Sequence, residues 1–244
     1  MPVLYGINVV LETLNSSEGR VEKVCIQRGQ SNRRVQQIID LAREKHIPIA
    51  FEEKAWLDRK SEGAGHQGVV CFVALMEASS VELILSQAKS PGLLVVLDGI
   101  EDPQNLGAIL RSAEIAGVDG VFLPQRRSAG LSSGAIKASA GAASHIKVAR
   151  VPNTAQLVDS LKTKGYWLTG LDTGAGLTPW KADFTLPTAL VLGNERSGLH
   201  RLIKEKCDFL VAIPMQGKTA SYNVSVAAGI VLYEVIRQRS APDG

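Results

Sequence analysis

The chain has 244 residues, 45% of them hydrophobic and 21% charged, a globular composition that excludes a disordered or fibrous protein and leaves room for two modest domains. With 27 Lys and Arg against 24 Asp and Glu the net charge is only +3, so any contact with a polyanion has to be local, and the small excess lies wholly beyond Ser90. Apolar runs such as residues 69–76 fall far short of the ~20 needed to cross a bilayer, and MPVLYGINVV lacks the basic region and cleavage site of a signal, so a cytoplasmic location is expected.

In chain order, Leu4, Ile7, Val10, Leu11 and Leu14 repeat at intervals of three and four and predict a helix over 4–14. The strand VEKVCIQ follows, then an amphipathic helix over 32–45, with Val35, Ile38, Ile39 and Leu41 set between Arg33, Arg34, Arg43 and Lys45. The strand IPIAFE, a polar glycine-rich loop over 57–68 and a β-branched strand over 69–75 complete a small α/β unit. A helical connector over 77–89 leads to Pro91-Gly92, which opens a second unit. The expected organisation is therefore a domain at 1–75, a linker at 76–90 and a domain at 91–244.

The second unit alternates. LLVVLDG precedes a helix over 106–117, VDGVFLP a small-residue helix over 134–143, and SHIKVARV a helix over 154–165. YWLTGLD, TALVLGN, a helix over 198–205, FLVAIPM and a helix over 223–239 finish it. Continuously apolar strands separated by helices predict an α/β fold with a mostly parallel sheet covered on both faces. Ligands of such sheets bind beyond the carboxyl ends of the strands.

Several short motifs fail on context. Gly63-Ala64-Gly65-His66-Gln67-Gly68 spells GxGxxG but runs into a strand, whereas a dinucleotide fingerprint runs from strand to helix. Gly217-Lys218-Thr219 ends like a P-loop, yet Ala212 stands where the first glycine belongs. Gly130-Leu131-Ser132-Ser133-Gly134 fits a nucleophile elbow, with Asp172 or Asp183 and then His200 in the right order, but Gln125 to Ala129 separate it from its strand. A serine hydrolase built on Ser132 stays as an alternative. Cys25, Cys71 and Cys207 read as buried thiols, and with His46, His66, His145 and His200 they form no metal-binding spacing, so no metal is expected.

Three strand-to-helix junctions concentrate the chemistry. In LDGIEDPQNLGAILRSAEIAG, Asn105 is the expected N-cap, Leu106, Ile109, Leu110 and Ala113 form a buried stripe, and Arg111 projects away from it. LVLGNERSGL places Gly193 and Glu195 after a buried strand, and IPMQGKTASYNVSVAAGI places Ser221 ahead of an Ala/Gly-rich helix. Small residues there permit close approach.

In this order the three segments resemble the SpoU/TrmH class of the SPOUT superfamily, the S-adenosyl-L-methionine-dependent RNA ribose 2'-O-methyltransferases. The third departs from the family pattern at Tyr222, where leucine is common. LYGINVVLETL and GAGHQGVV are similar to the family's small L30e/L7Ae-like α/β RNA-binding domain. The resemblance implies a C-terminal trefoil knot, a homodimer and a cofactor held in the knot. It implies catalytic residues at Asn105, Arg111, Glu195, Ser221 and Asn223 and cofactor contacts at Gly193, Ile213 and Tyr222. A guanidinium stays protonated, so Arg111 is read as holding a phosphate and stabilising a forming alkoxide, fixed by Glu195 and Ser221, with Asn105 and Asn223 orienting ribose and phosphate. Arg33, Arg34, Arg126, Arg127, Lys137, Lys147 and Arg150 are candidates to follow an RNA backbone. Within the class the two-domain form is similar to enzymes acting on a guanosine of 23S ribosomal RNA. A tRNA guanosine enzyme and a non-catalytic RNA-binding protein remain alternatives.

Overall fold

The computed structural model describes residues 3–15, 21–63, 65–73, 79–126 and 128–240. The β-branched runs sort into two sheets. The first holds β1 (Val3–Tyr5), β2 (Val21–Gln27), β3 (Ile49–Glu52) and β4 (Val69–Val73) in the order β1-β4-β2-β3. Its β1/β4 and β4/β2 pairs are antiparallel and its β2/β3 pair is parallel. Helices α1 (Ile7–Asn15), α2 (Arg33–Glu44) and α3 (Lys54–Lys60) accompany it. The helix expected over 4–14 starts late, because Gly6 takes a φ of 95° and Leu4 pairs with Cys71 in the sheet. The loop expected over 57–68 opens inside α3.

The second sheet holds β5 (Leu93–Asp98), β6 (Gly120–Pro124), β7 (Val148–Val151), β8 (Trp167–Leu171), β9 (Thr188–Gly193) and β10 (Phe209–Val211). Their order is β10-β8-β9-β5-β6-β7, and every pair is parallel. All six residues of β5 and of β9 are buried, which is why those segments read as unbroken apolar runs. Helices α5 (Pro103–Ile115) and α9 (Val224–Ser240) contribute to the core that contains Val95 and Leu97. Helices α4 (Val81–Ser86), α7 (Thr154–Thr163) and α8 (Arg201–Lys206) contribute to the other, around Leu94 and Val96. Alternate residues of β5 thus face opposite cores.

The small-residue helix is shorter than expected. Helix α6 (Ser133–Ala138) stops where Ala140 and Gly141 enter the left-handed region, and Ala142–Ser144 resumes as a 3₁₀ turn. The connector contracts to α4; its expected start at 77–78 and the end of the strand expected over 69–75 lie outside the described residues. The two halves touch where Lys137 of α6 sits over the Tyr5 ring, 4.0 Å from its centroid. Lys137 therefore has an intramolecular partner as well as a place among the candidate RNA contacts. Cys25 and Cys71 are buried, and burial pushes the Cys71 thiol up to about 12. No described helix is long and apolar enough to cross a membrane.

Chain direction fixes where a ligand can sit. From β5 the chain moves outward to β6 and β7, while β8 and β9 lie on the other side, so the order reverses between β5 and β9. Their carboxyl ends meet at the paired residues Asp98 and Gly193, the position at which open parallel sheets form ligand crevices.

Candidate active site

At the end of β5 the side chain of Asp102, not Asn105, caps α5 by accepting the Gln104 amide at 2.9 Å, with Pro103 in the first turn. This corrects the expected cap and releases the Asn105 side chain for another task. Asn105 is 9% exposed; its Nδ2 donates to Glu195 Oε1 at 3.0 Å, and its Oδ1 accepts from Asn223 Nδ2 at 2.9 Å. Asn223 is oriented in turn by capping α9, its Oδ1 accepting the Ser225 amide at 2.9 Å and the Ser225 hydroxyl at 2.6 Å. Three junctions far apart in the chain thereby meet through three side chains.

Glu195 is held by a tight turn. Asn194 and Gly198 exchange two backbone hydrogen bonds of 2.9 Å, and Asn194 Oδ1 accepts the amides of Arg196 and Ser197. Asn194 Nδ2 donates to the Gly99 carbonyl at 2.7 Å, tying the turn to β5. Asp98, 4% exposed, accepts the His200 amide at 2.8 Å, and the His200 Nδ1 lies 2.9 Å from the same carboxylate. Only glycine fits at 193, because a Cβ there would collide with the backbone of Gly198 and Leu199. Asn194 is not among the site residues expected above, although an Asn followed closely by Ser-Gly is the composition of such a side-chain-closed turn.

A cleft of about 360 Å³ lies beyond the ends of β8, β9 and β10. It brings together Gly193, Glu195, Ile213, Ser221 and Tyr222, all expected site residues, and adds Asp172. A hydrogen bond from Lys204 holds the Asp172 carboxyl below its ordinary range. Residues 212–223 belong to no helix or strand, so much of their main chain can face a ligand.

Arg111 is not brought in. It is exposed on α5, lines no part of the cleft and makes no hydrogen bond or ion pair with any described residue. The expected fixing of Arg111 by Glu195 and Ser221 is corrected: the Glu195 carboxylate takes Asn105 instead. The hydrolase alternative also fails on geometry. Ser132 caps α6 by accepting the Ala135 amide, His200 pairs with Asp98, Asp172 with Lys204 and Asp183 with Thr185. Of the candidate RNA contacts, Arg33, Arg126 and Arg150 are exposed, Lys147 is half-buried and Arg34 bonds to Asn8. Arg127 lies outside the described residues.

A wholly parallel sheet, a cleft beyond its strand ends and an amide–carboxylate cluster at the junctions define an α/β enzyme that takes a small ligand beyond the carboxyl ends of β8, β9 and β10, beside its switch point. Residues 92–233 match the model of the SpoU rRNA methylase family, and residues 3–78 match that of the RNA 2'-O ribose methyltransferase substrate-binding domain. A TrmH-family protein of Bacillus subtilis is 41% identical over 240 residues, covering 97% of this chain and 96% of the relative. The 23S rRNA (guanosine-2'-O-)-methyltransferase RlmB of Photorhabdus laumondii is 39% identical over 242 residues, 98% of this chain and 99% of the relative. The crystal structure of the SpoU methyltransferase AviRb from Streptomyces viridochromogenes in complex with AdoMet superposes with a TM-score of 0.83. That match has 26% identity and covers 98% of this chain and 91% of that one. The chain belongs to the SpoU rRNA methylase family, a family of RNA methyltransferases.

Proposed function

We propose that this protein transfers the methyl group of S-adenosylmethionine to the ribose 2'-hydroxyl of a guanosine in 23S ribosomal RNA, working in the cytoplasm. The observation that carries this reading is the Asn105–Glu195–Asn223 cluster joined to the cleft of Gly193, Ile213 and Tyr222. The cleft falls within the ~300–1,000 Å³ typical of small-ligand sites, and its mixture of apolar side chains and irregular main chain suits an adenosine and an amino-acid tail. The bound cofactor would supply an electrophilic methyl group. The chain's own task is to orient and polarise the attacking oxygen.

In this reading Gly193, Ile213 and Tyr222 hold the cofactor. Asn105 and Asn223, each fixed by two or more hydrogen bonds, orient the ribose. Glu195 keeps Asn105 in place, and Ser221 shapes the rim. Arg111 binds the neighbouring phosphate and stabilises the forming alkoxide, because a guanidinium does not give up its proton. Its isolation within one chain supports a homodimer. Ile115, one turn along α5, is 70% exposed, and α9, which packs against α5, exposes Val226, Ile230 and Tyr233 at helical spacing. A second copy covering this face would receive Arg111 at its own cleft. A trefoil knot in the domain at 91–244, and a substrate-binding domain at 1–75 joined through 76–90, belong to the same reading.

The test is methyl transfer from labelled S-adenosylmethionine to 23S rRNA and tRNA transcripts, followed by mapping of ribose methylation. One labelled guanosine in 23S rRNA is expected. Label confined to tRNA would refute the substrate, and no label in any RNA would refute the activity.

A further inference from the structure

Strained backbone marks the joint between the two halves. Ala140 takes a φ of 51°, a region that a residue with a Cβ rarely enters, and Gly141 follows at 94°. Such backbone persists only where its surroundings hold it, and two sets of contacts do so here. Ser139, fully buried, donates its hydroxyl to the Ile136 carbonyl at 2.7 Å and accepts the Ala143 amide at 3.2 Å, spanning the break between α6 and the 3₁₀ turn. From the first half, the Glu12 side chain on α1 lies against Gly141, where a Cβ would collide with it.

The same short helix grips both halves. Three residues before the break, Lys137 sets its Nζ 4.0 Å from the centroid of the Tyr5 ring. Tyr5 is fixed in β1, paired with Val70 and packed on the cluster of Cys25, Leu57 and Val70. On the other side of α6, Ala135, Ala138 and Ser139 lie on α5 at Gly107, where any Cβ would strike the Ala135 carbonyl and the Ala138 methyl group. With no side chain between them the two helices touch through main chain, so α6 cannot slide on α5. Asn105 stands two residues before Gly107 on the same helix. Tyr5 is thus linked to the Asn105 cluster through one short, closely packed helix.

We propose that Lys137 and Tyr5 are positioning residues: with the break at Ala140 and Gly141 they fix the reach from RNA held by the first half to Asn105, and so select which nucleotide is methylated. The proposal rests on the reading that RNA is the substrate, and it gives Lys137 a protein partner in place of a phosphate. An RNA that engages both halves at once reacts only where its span matches theirs, because small misplacement of the reacting group costs rate steeply. A loose joint lets the second half reach several riboses, each less often.

Tyr5→Leu and Lys137→Met keep apolar bulk and remove the contact between ring and ammonium. Lys137 is exposed, so its variant folds whatever Tyr5→Leu does to the sheet. Each would be compared with the wild type on a transcript that the wild type methylates, by kcat, KM, RNA Kd across salt concentrations, S-adenosylmethionine affinity and a map of ribose methylation. Each is expected to lower kcat roughly fivefold and to spread label onto neighbouring nucleotides. RNA Kd, its salt slope and cofactor affinity should stay within about twofold, since no phosphate contact is lost. The double variant should be no worse than the worse single one, because both changes break the same contact. Unchanged kcat with one labelled nucleotide would overturn the proposal. So would weaker RNA binding in Lys137→Met alone with a salt slope lower by about one, the mark of a phosphate contact. A wild-type chain that methylates no RNA would overturn the proposed function and this proposal with it.

Discussion

Replacing Gly193 by alanine tests whether the turn that follows β9 shapes the cofactor cleft. The new Cβ would stand 2.5 Å from the Gly198 carbonyl oxygen and nearer still to Gly198 C and Leu199 N, where ordinary contact begins at about 3.4 Å. All three obstacles are backbone atoms, so no rotamer change relieves them. β9 is buried along its whole length and cannot shift, so the turn must retreat by about 1 Å. That strains both backbone hydrogen bonds between Asn194 and Gly198, each worth ~0.5–1.5 kcal/mol, and overpacking adds ~1–3 kcal/mol. The expected cost is about 2–6 kcal/mol. The displaced turn carries Glu195 and lines the cleft, so the cost should fall on ligand binding, and even ~2 kcal/mol is roughly thirtyfold in Kd. Calorimetric titration with S-adenosylmethionine, paired with urea unfolding, measures both. A Gly193→Ala protein that binds the cofactor within threefold of the wild type and is equally stable would refute the argument.

Arg111→Ala should abolish methyl transfer while leaving cofactor affinity nearly intact; lost affinity with normal turnover at saturation would contradict its role. Mixing Arg111→Ala with Asn223→Ala chains should restore transfer that neither has alone, and no recovery in a mixed dimer would count against a site shared between copies. Arg239 donates to four carbonyls, those of Pro91, Gly92, Phe184 and Leu186, at 2.8–3.1 Å. It thereby staples the end of α9 to the amino ends of β5 and β9. Its half-exposed position discounts each charged bond, so Arg239→Ala should cost about 2–3 kcal/mol and lower Tm by about 4–12 °C. A scan showing no shift would dismiss the staple. The depressed folded pKa of Asp172 means that its stabilisation is complete above the unfolded value near 3.8 and lost as pH falls through the lower folded value. Wild type and Asp172→Asn should therefore differ by about 1 kcal/mol at neutral pH and converge in acid, and a gap that persists there would exclude the Lys204 pair as its source.

Local patterns announced most of this architecture. The apolar strands of the second half, the buried stripe of α5 and the outward position of Arg111 follow from periodicity and burial, which are properties of a few neighbouring residues. The broken small-residue helix was less legible, because left-handed backbone at Ala140 and Gly141 answers to packing against the first half, where the Glu12 side chain lies against Gly141. Resemblance to a family supplied the names of the site residues, while periodicity left each junction ambiguous.

Three-dimensional contact decided the partnerships. Asparagine at 105 satisfies the sequence rule for an N-cap, as does Asp102 ahead of Pro103, but nothing nearby in the chain says that the uncommitted Asn105 will bond to Glu195 and Asn223. Nor does the chain say that His200 belongs to Asp98. Hydrogen bonds between side chains about a hundred residues apart depend on which strand ends the sheet order brings together. That order is a property of the whole fold, so sequence marks the groups able to bond and the tertiary structure chooses the pairs.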